Sequence, residues 1–150
     1  MYRHRQGRIL TAVAALVPLA VACGSEQAGG SGSVAPERPV TGVQWNIDSV
    51  TVDGRAQRVE GDAYLTFDDK TGKVGGRLGC NHVNARATVS DGHITLGSPS
   101  TTRMMCDTSL MTTERSLLTL FNSTLSYRVD QDTLALTSEN GDSLHAVADE

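Results

Sequence analysis

From residue 43 onward, apolar side chains recur at every second position in short runs separated by turn residues. That period of two commits most of the chain to an antiparallel sheet. The run Val43 to Val50 alternates, with Val43, Trp45, Ile47 and Val50 expected to lean inward, and Asp53-Gly54 ends it. Ala63–Asp68 meets the turn Asp69-Lys70-Thr71-Gly72 and returns as Lys73–Cys80, a hairpin. Asn84–Ser90, Asp91-Gly92 and His93–Ser98 form a second hairpin, its Asp-Gly suited to positive φ. Thr124–Asp130 and Thr133–Ser138, joined by Gln131-Asp132, make a third, and Asn140-Gly141 leads into a last strand over Asp142–Asp149. The sum is about eight strands.

One segment breaks that period. Over Ser109–Ser123, Leu110, Leu117 and Phe121 share a helical stripe, with Met111, Leu118 and Leu120 beside it. Asp107 or Thr108 can cap its start, because their oxygens accept from the first free N–H groups. Only the middle of the stretch, Thr112 to Ser116, is polar, so the helix is expected to lie with its broad apolar face on the sheet. The fold class is therefore α+β: a curved antiparallel sheet or partly open β-barrel of about eight strands, with one packed α-helix over about 108–122.

The N-terminus is an address rather than part of this fold. Residues 1–8 carry Arg3, Arg5 and Arg8 and no acid, and residues 9–22 are apolar or small except for Thr11. That run is shorter than the roughly 20 apolar residues a membrane helix needs, and it suits a signal peptide. It ends Leu19-Ala20-Val21-Ala22-Cys23, which resembles the bacterial lipobox. The expectation is a lipoprotein signal peptide over 1–22, with lipid (diacylglyceryl and a further acyl chain such as palmitate) on Cys23. Residues 24–41, rich in Gly, Ser, Ala and Pro, read as a flexible tether. The globular domain is expected over 42–150. Its place is the cell membrane, lipid-anchored, on the extracytoplasmic side.

Removal of the signal takes three arginines and no acid, so the net charge moves from −4 to −7. The remaining arginines are scattered along the chain and lysines number two. Nucleic acid is not an expected partner, and the acyl chains must do the anchoring. If Cys23 carries lipid, Cys80 and Cys106 are left as an even pair, expected to form a disulfide in an oxidising compartment. The rival is a metal site on Cys80, His82, Cys106 and Asp107, but nothing here has zinc spacing such as C-x2-C, and no metal or other cofactor is expected.

The order Trp45, then Gly79-Cys80-Asn81 at the end of a hairpin, then Thr102, Met104 and Cys106 before a helix resembles the META domain, also called the HslJ-like family. The resemblance covers about residues 42–148. Where that family often carries glycine, four residues past the asparagine, this chain has Ala85. The resemblance implies a small β-rich domain with one helix, extracytoplasmic placement, and a link to envelope stress response or antibiotic tolerance. It brings no catalytic residues.

The residues themselves offer no catalytic set either. There is no G-x-S-x-G, no H-E-x-x-H and no phosphate loop. His93 reads as a solvated hairpin residue, His145 as an outward strand residue, and Asp68-Asp69 as turn chemistry. Gly75, Gly76 and Gly79 are expected to let the sheet bend so that Cys80 reaches Cys106, with Asn81 bonding backbone at the turn. Their alternative role is to open a groove beside the disulfide. The expected function is a non-enzymatic, lipid-anchored envelope protein that binds a protein partner. The alternative is a carrier or sensor of a small apolar ligand held between sheet and helix.

Overall fold

The structure, a computed structural model, describes residues 38–150. The signal peptide, Cys23 and most of the tether lie outside the described residues. The packed body takes in Val40, which composition assigned to the tether: it is buried, and its carbonyl accepts the Trp45 indole N–H at 2.8 Å.

The eight expected strands form, and they close into a ring. The wall consists of β1 (Gln44–Val52), β3 (Ala63–Asp68), β4 (Lys73–Leu78), β5 (His82–Ser90), β6 (His93–Leu96), β8 (Thr124–Asp130), β9 (Thr133–Ser138) and β10 (Ser143–Ala148). Each pairs antiparallel with the next, and β10 pairs back onto β1, with Trp45 opposite Ala148 and Val50 opposite Leu144. Closure leaves no free edge along the ring. Two short strands were not expected. Here β2 (Arg55–Arg58) folds back on the end of β1, and β7 (Ser100–Thr101) extends the β6 edge along β5.

Inside the ring, alternation does what the sequence pattern promised. Trp45, Leu65, Phe67, Val74, Ile94, Leu125, Leu134 and Leu136 are all buried. An eight-stranded barrel is just wide enough for side chains to fill it, and these fill it. Val50 reaches the interior through a bulge: Ile47 pairs with Ala146 and Ser49 with His145, so Asp48 is the extra residue and the phase resets. Gly76 marks a close approach, since a Cβ there would run into the Tyr64 carbonyl oxygen on β3.

The helix α1 (Thr108–Leu118) does not lie along a sheet face, because a closed barrel has none to spare. It joins the end of β6 to the start of β8 and so crosses one end of the barrel, touching the loop at Gly61 and the turn at Gly79. Asp107 caps it, accepting from Leu110 N–H at 3.1 Å. The Ser109 hydroxyl and then that N–H hold the Asp107 carboxyl below its ordinary value of 3.8. At the other terminus Leu120 and Phe121 turn inward on i→i+3 bonds to Leu117 and Leu118, and Asn122 has φ of 60°. The apolar periodicity thus continues to 121 while the α-helix ends at Leu118. The chain enters at the opposite end of the barrel, where Arg38 pairs with Asp132 in the β8–β9 turn.

Candidate functional site

The site is built from the turn between β4 and β5. Gly79 takes φ of 99°, and a Cβ there would stand 3.2 Å from the Leu110 carbonyl and 3.4 Å from Thr113 Cγ2. Only glycine meets both demands, the left-handed conformation and the contact with the helix. The turn carries Cys80 and Asn81 beneath the helix end, where both are buried.

Cys80 bonds to Cys106, with Cα atoms 5.8 Å apart, within the ordinary span of a disulfide. The thiols that the rival metal reading needed are therefore joined to each other.

Asn81, 2% exposed, acts as a peptide group with no chain attached. Its Nδ2 donates to the Met104 carbonyl at 3.2 Å, and its Oδ1 accepts the Met104 N–H at 2.6 Å, copying a strand partner. The Thr102 hydroxyl donates to the same Oδ1 at 2.9 Å and accepts His82 N–H at 3.0 Å. From the other side Glu114 accepts Asn81 N–H at 2.7 Å, with Nδ2 3.0 Å from each carboxylate oxygen.

Glu114 is the residue that sequence reasoning missed. It lies in the polar middle of the helix, where Thr113 and Glu114 are nevertheless buried. The reason is their position. Glu114 lies four residues after Leu110 and three before Leu117, on the inward stripe, and its charge is met by N–H donors of Asn81. Its only counterpart in sequence was that spacing. Among the described residues the single ion pair is Arg38–Asp132, so no cation meets this carboxylate. Hydrogen bonding satisfies it instead, and no buried side-chain polar atom among the described residues lacks a partner.

What this scaffold holds out is the segment Arg103-Met104-Met105. Met104 is 54% exposed and Met105 87%. The segment is fastened at Thr102 by β-type bonds to His82, at Met104 by Asn81, at Cys106 by the disulfide and at Asp107 by the helix cap. Two thioethers on so tightly held a backbone form an apolar knuckle that can enter a partner's surface with little loss of chain entropy.

The other sequence-flagged residues stay apart. Trp45 lies inside the barrel, on β1. His82 and His93 stand at opposite ends of β5 and its hairpin, about 27 Å apart at the usual strand rise, and His145 is exposed on β10. The Asp68 carboxylate takes the N–H groups of Lys70 and Thr71, a turn role; the Thr71 N–H above all holds it below its ordinary value. Among the described residues, no helix is long and apolar enough to cross a membrane.

The residues around the turn, Gly79, Cys80 and Asn81 with Thr102, Met104 and Cys106, form one connected cluster. The META domain family model matches residues 38–150. The chain belongs to the META domain family. The fold is shared with a protein from Burkholderia xenovorans solved by NMR, at 19% identity and a TM-score of 0.62, covering 99% of each chain. A second NMR structure matches at 18% identity and a TM-score of 0.54, covering 70% of this chain and 88% of that one. No curated protein matches this chain. At these identities the likeness is one of fold.

Proposed function

We propose that this META domain protein is a non-enzymatic, lipid-anchored envelope module that binds a protein partner through Arg103-Met104-Met105. The observation that carries the reading is the contrast between a fastened backbone and two methionines exposed at 54% and 87%. Large exposed apolar side chains on rigid loops are characteristic of recognition surfaces. The lipobox at Cys23 supports the anchor, and the disulfide suits an oxidising, extracytoplasmic compartment. Arg38, where the described chain joins the barrel, lies at the end opposite the methionine loop. The family resemblance adds a role in envelope stress or antibiotic tolerance.

The test is photo-crosslinking in intact cells, with a photoreactive residue at position 103 of the full chain. A discrete protein adduct is expected there and not from exposed position 139 on the β9–β10 turn. Met104→Ser with Met105→Ser should abolish the adduct while changing stability by no more than about 0.5 kcal/mol, as for other surface substitutions. Equal adducts at both positions, or an adduct that survives loss of both methionines, would overturn the reading.

A further inference from the structure

The arginines that look scattered in the sequence are gathered by the fold. Residues 38–150 hold more acids than cations, yet β4 and β5 carry Lys73, Arg77, His82 and Arg86 and no carboxylate. From Lys70 to Cys106 the only acid is Asp91, which lies at the tip of the β5–β6 hairpin. Lys73 pairs directly with Arg86 across the ladder, and Arg77 with His82. Lys73 and Arg86 are like charges directly opposite each other, which weakens a sheet, and no ion pair relieves them among the described residues. Asp68 on the neighbouring strand stands opposite Lys73, but its carboxylate accepts the turn N–H groups of Lys70 and Thr71 and forms no ion pair with Lys73.

Between the Lys73–Arg86 pair and Arg77 the wall is neutral and indented. Gly75 stands on the outer face opposite Asn84, and a Cβ there would meet nothing nearer than the Val83 carbonyl at 4.0 Å. Two open clefts share Asn84. One, of about 550 Å³, is bordered by Lys73, Arg86 and Ser98; the other, of about 460 Å³, by Tyr64, His82 and Thr102. Together they make a trough with Lys73 and Arg86 at one end and a hydroxyl- and amide-rich middle; Arg77 stands on the outer face of β4 beyond the other end, its Nε donating to the Gly79 carbonyl at 3.2 Å. At the strand rise of about 3.3 Å per residue, Lys73 and Arg77 lie about 13 Å apart.

We propose that this trough binds an acidic glycan, a chain in which carboxylate-bearing sugars alternate with neutral ones. Guanidinium and ammonium groups meet the carboxylates. Asn84 and the Ser100 hydroxyl meet sugar hydroxyls, Ser98 Oγ, which donates to Asn122, can still accept from one, and Tyr64 lines one border. The wide neutral interval fits this ligand better than a nucleic acid strand, which carries a charge about every 3.4 Å.

The probe is an octasaccharide of alternating glucuronic acid and N-acetylglucosamine, titrated by calorimetry into the detergent-solubilised full chain. Lys73→Gln with Arg86→Gln, both exposed side chains, should weaken binding at least tenfold. Gly75→Val adds no charge and keeps a strand-compatible residue, and by filling the trough it should weaken binding at least fivefold. Arg128→Gln, an exposed cation elsewhere on the barrel, should change nothing. An uncharged N-acetylglucosamine hexamer should not bind. The proposal is overturned if single-stranded DNA binds as tightly as the octasaccharide, if the neutral hexamer does, if Gly75→Val is without effect, or if no binding is seen.

Discussion

Asn81→Ala is expected to destabilise the domain by about 3 kcal/mol or more, read as a lowered urea midpoint with an unchanged slope. The side chain joins three elements: the β4–β5 turn, the Met104 backbone and the helix through Glu114. Truncation leaves a carboxylate that is 6% exposed with only the residue 81 N–H as donor. Leaving a buried charge short of partners costs several kcal/mol, far more than the net worth of the bonds themselves. Replacing both partners is then the informative comparison. Asn81→Ala combined with Glu114→Leu should recover much of the loss, because an apolar pair needs no donors. If the double variant is as unstable as the single one, Glu114 is not what makes Asn81 costly to remove.

Loss of the disulfide is the second large effect. Cys80 and Cys106 are separated by 26 residues, and closing a loop of that length in the unfolded chain corresponds to about 3.5 kcal/mol in the chain-entropy model. For a domain of this size Cys80→Ser with Cys106→Ser should lower Tm by about 10–15 °C. Reductant should lower the Tm of the wild-type protein by a similar amount and leave the variant unmoved. A variant that melts within about 2 °C of the wild type would mean that the bridge adds nothing beyond what Asn81 and Glu114 already hold.

The strands were legible because burial on one side imposes alternation, and several turns announced themselves with Asp-Gly, Asn-Gly or a Thr-Gly pair. Even the helix cap could be read from Asp107. Closure could not be read. The pairing of β1 with β10 joins the two ends of the domain, and no local pattern encodes a partner a hundred residues away. The placement of the helix follows from closure, so it was lost with it: an apolar stripe says that a helix packs, not whether it packs on a face or an end. The bulge at Asp48 was hidden for a similar reason, since only the register against His145 and Ala146 exposes the extra residue.

At the site, the two cysteines and Asn81 were visible as a motif; Asn81 was expected to bond backbone at its own turn, and its side chain instead reaches the Met104 backbone and Glu114. Glu114 was not visible, because a carboxylate on an inward stripe contradicts ordinary patterning unless its donors are known. The cationic wall was hidden in plain numbers. A lysine and two arginines spaced four and nine residues apart look dispersed until a hairpin lays Lys73 against Arg86 and Arg77 against His82. The absence of acids between Asp69 and Asp91 was the signal available.

All of this converges on one physical claim, that Met104 and Met105 are exposed at the surface yet held still. Backbone ¹⁵N relaxation of the full chain measures it directly. Order parameters for the Met104 and Met105 amides should lie near 0.85, like those of β4 and β5, despite side-chain exposure. Values below about 0.6, typical of a free loop, would contradict the account.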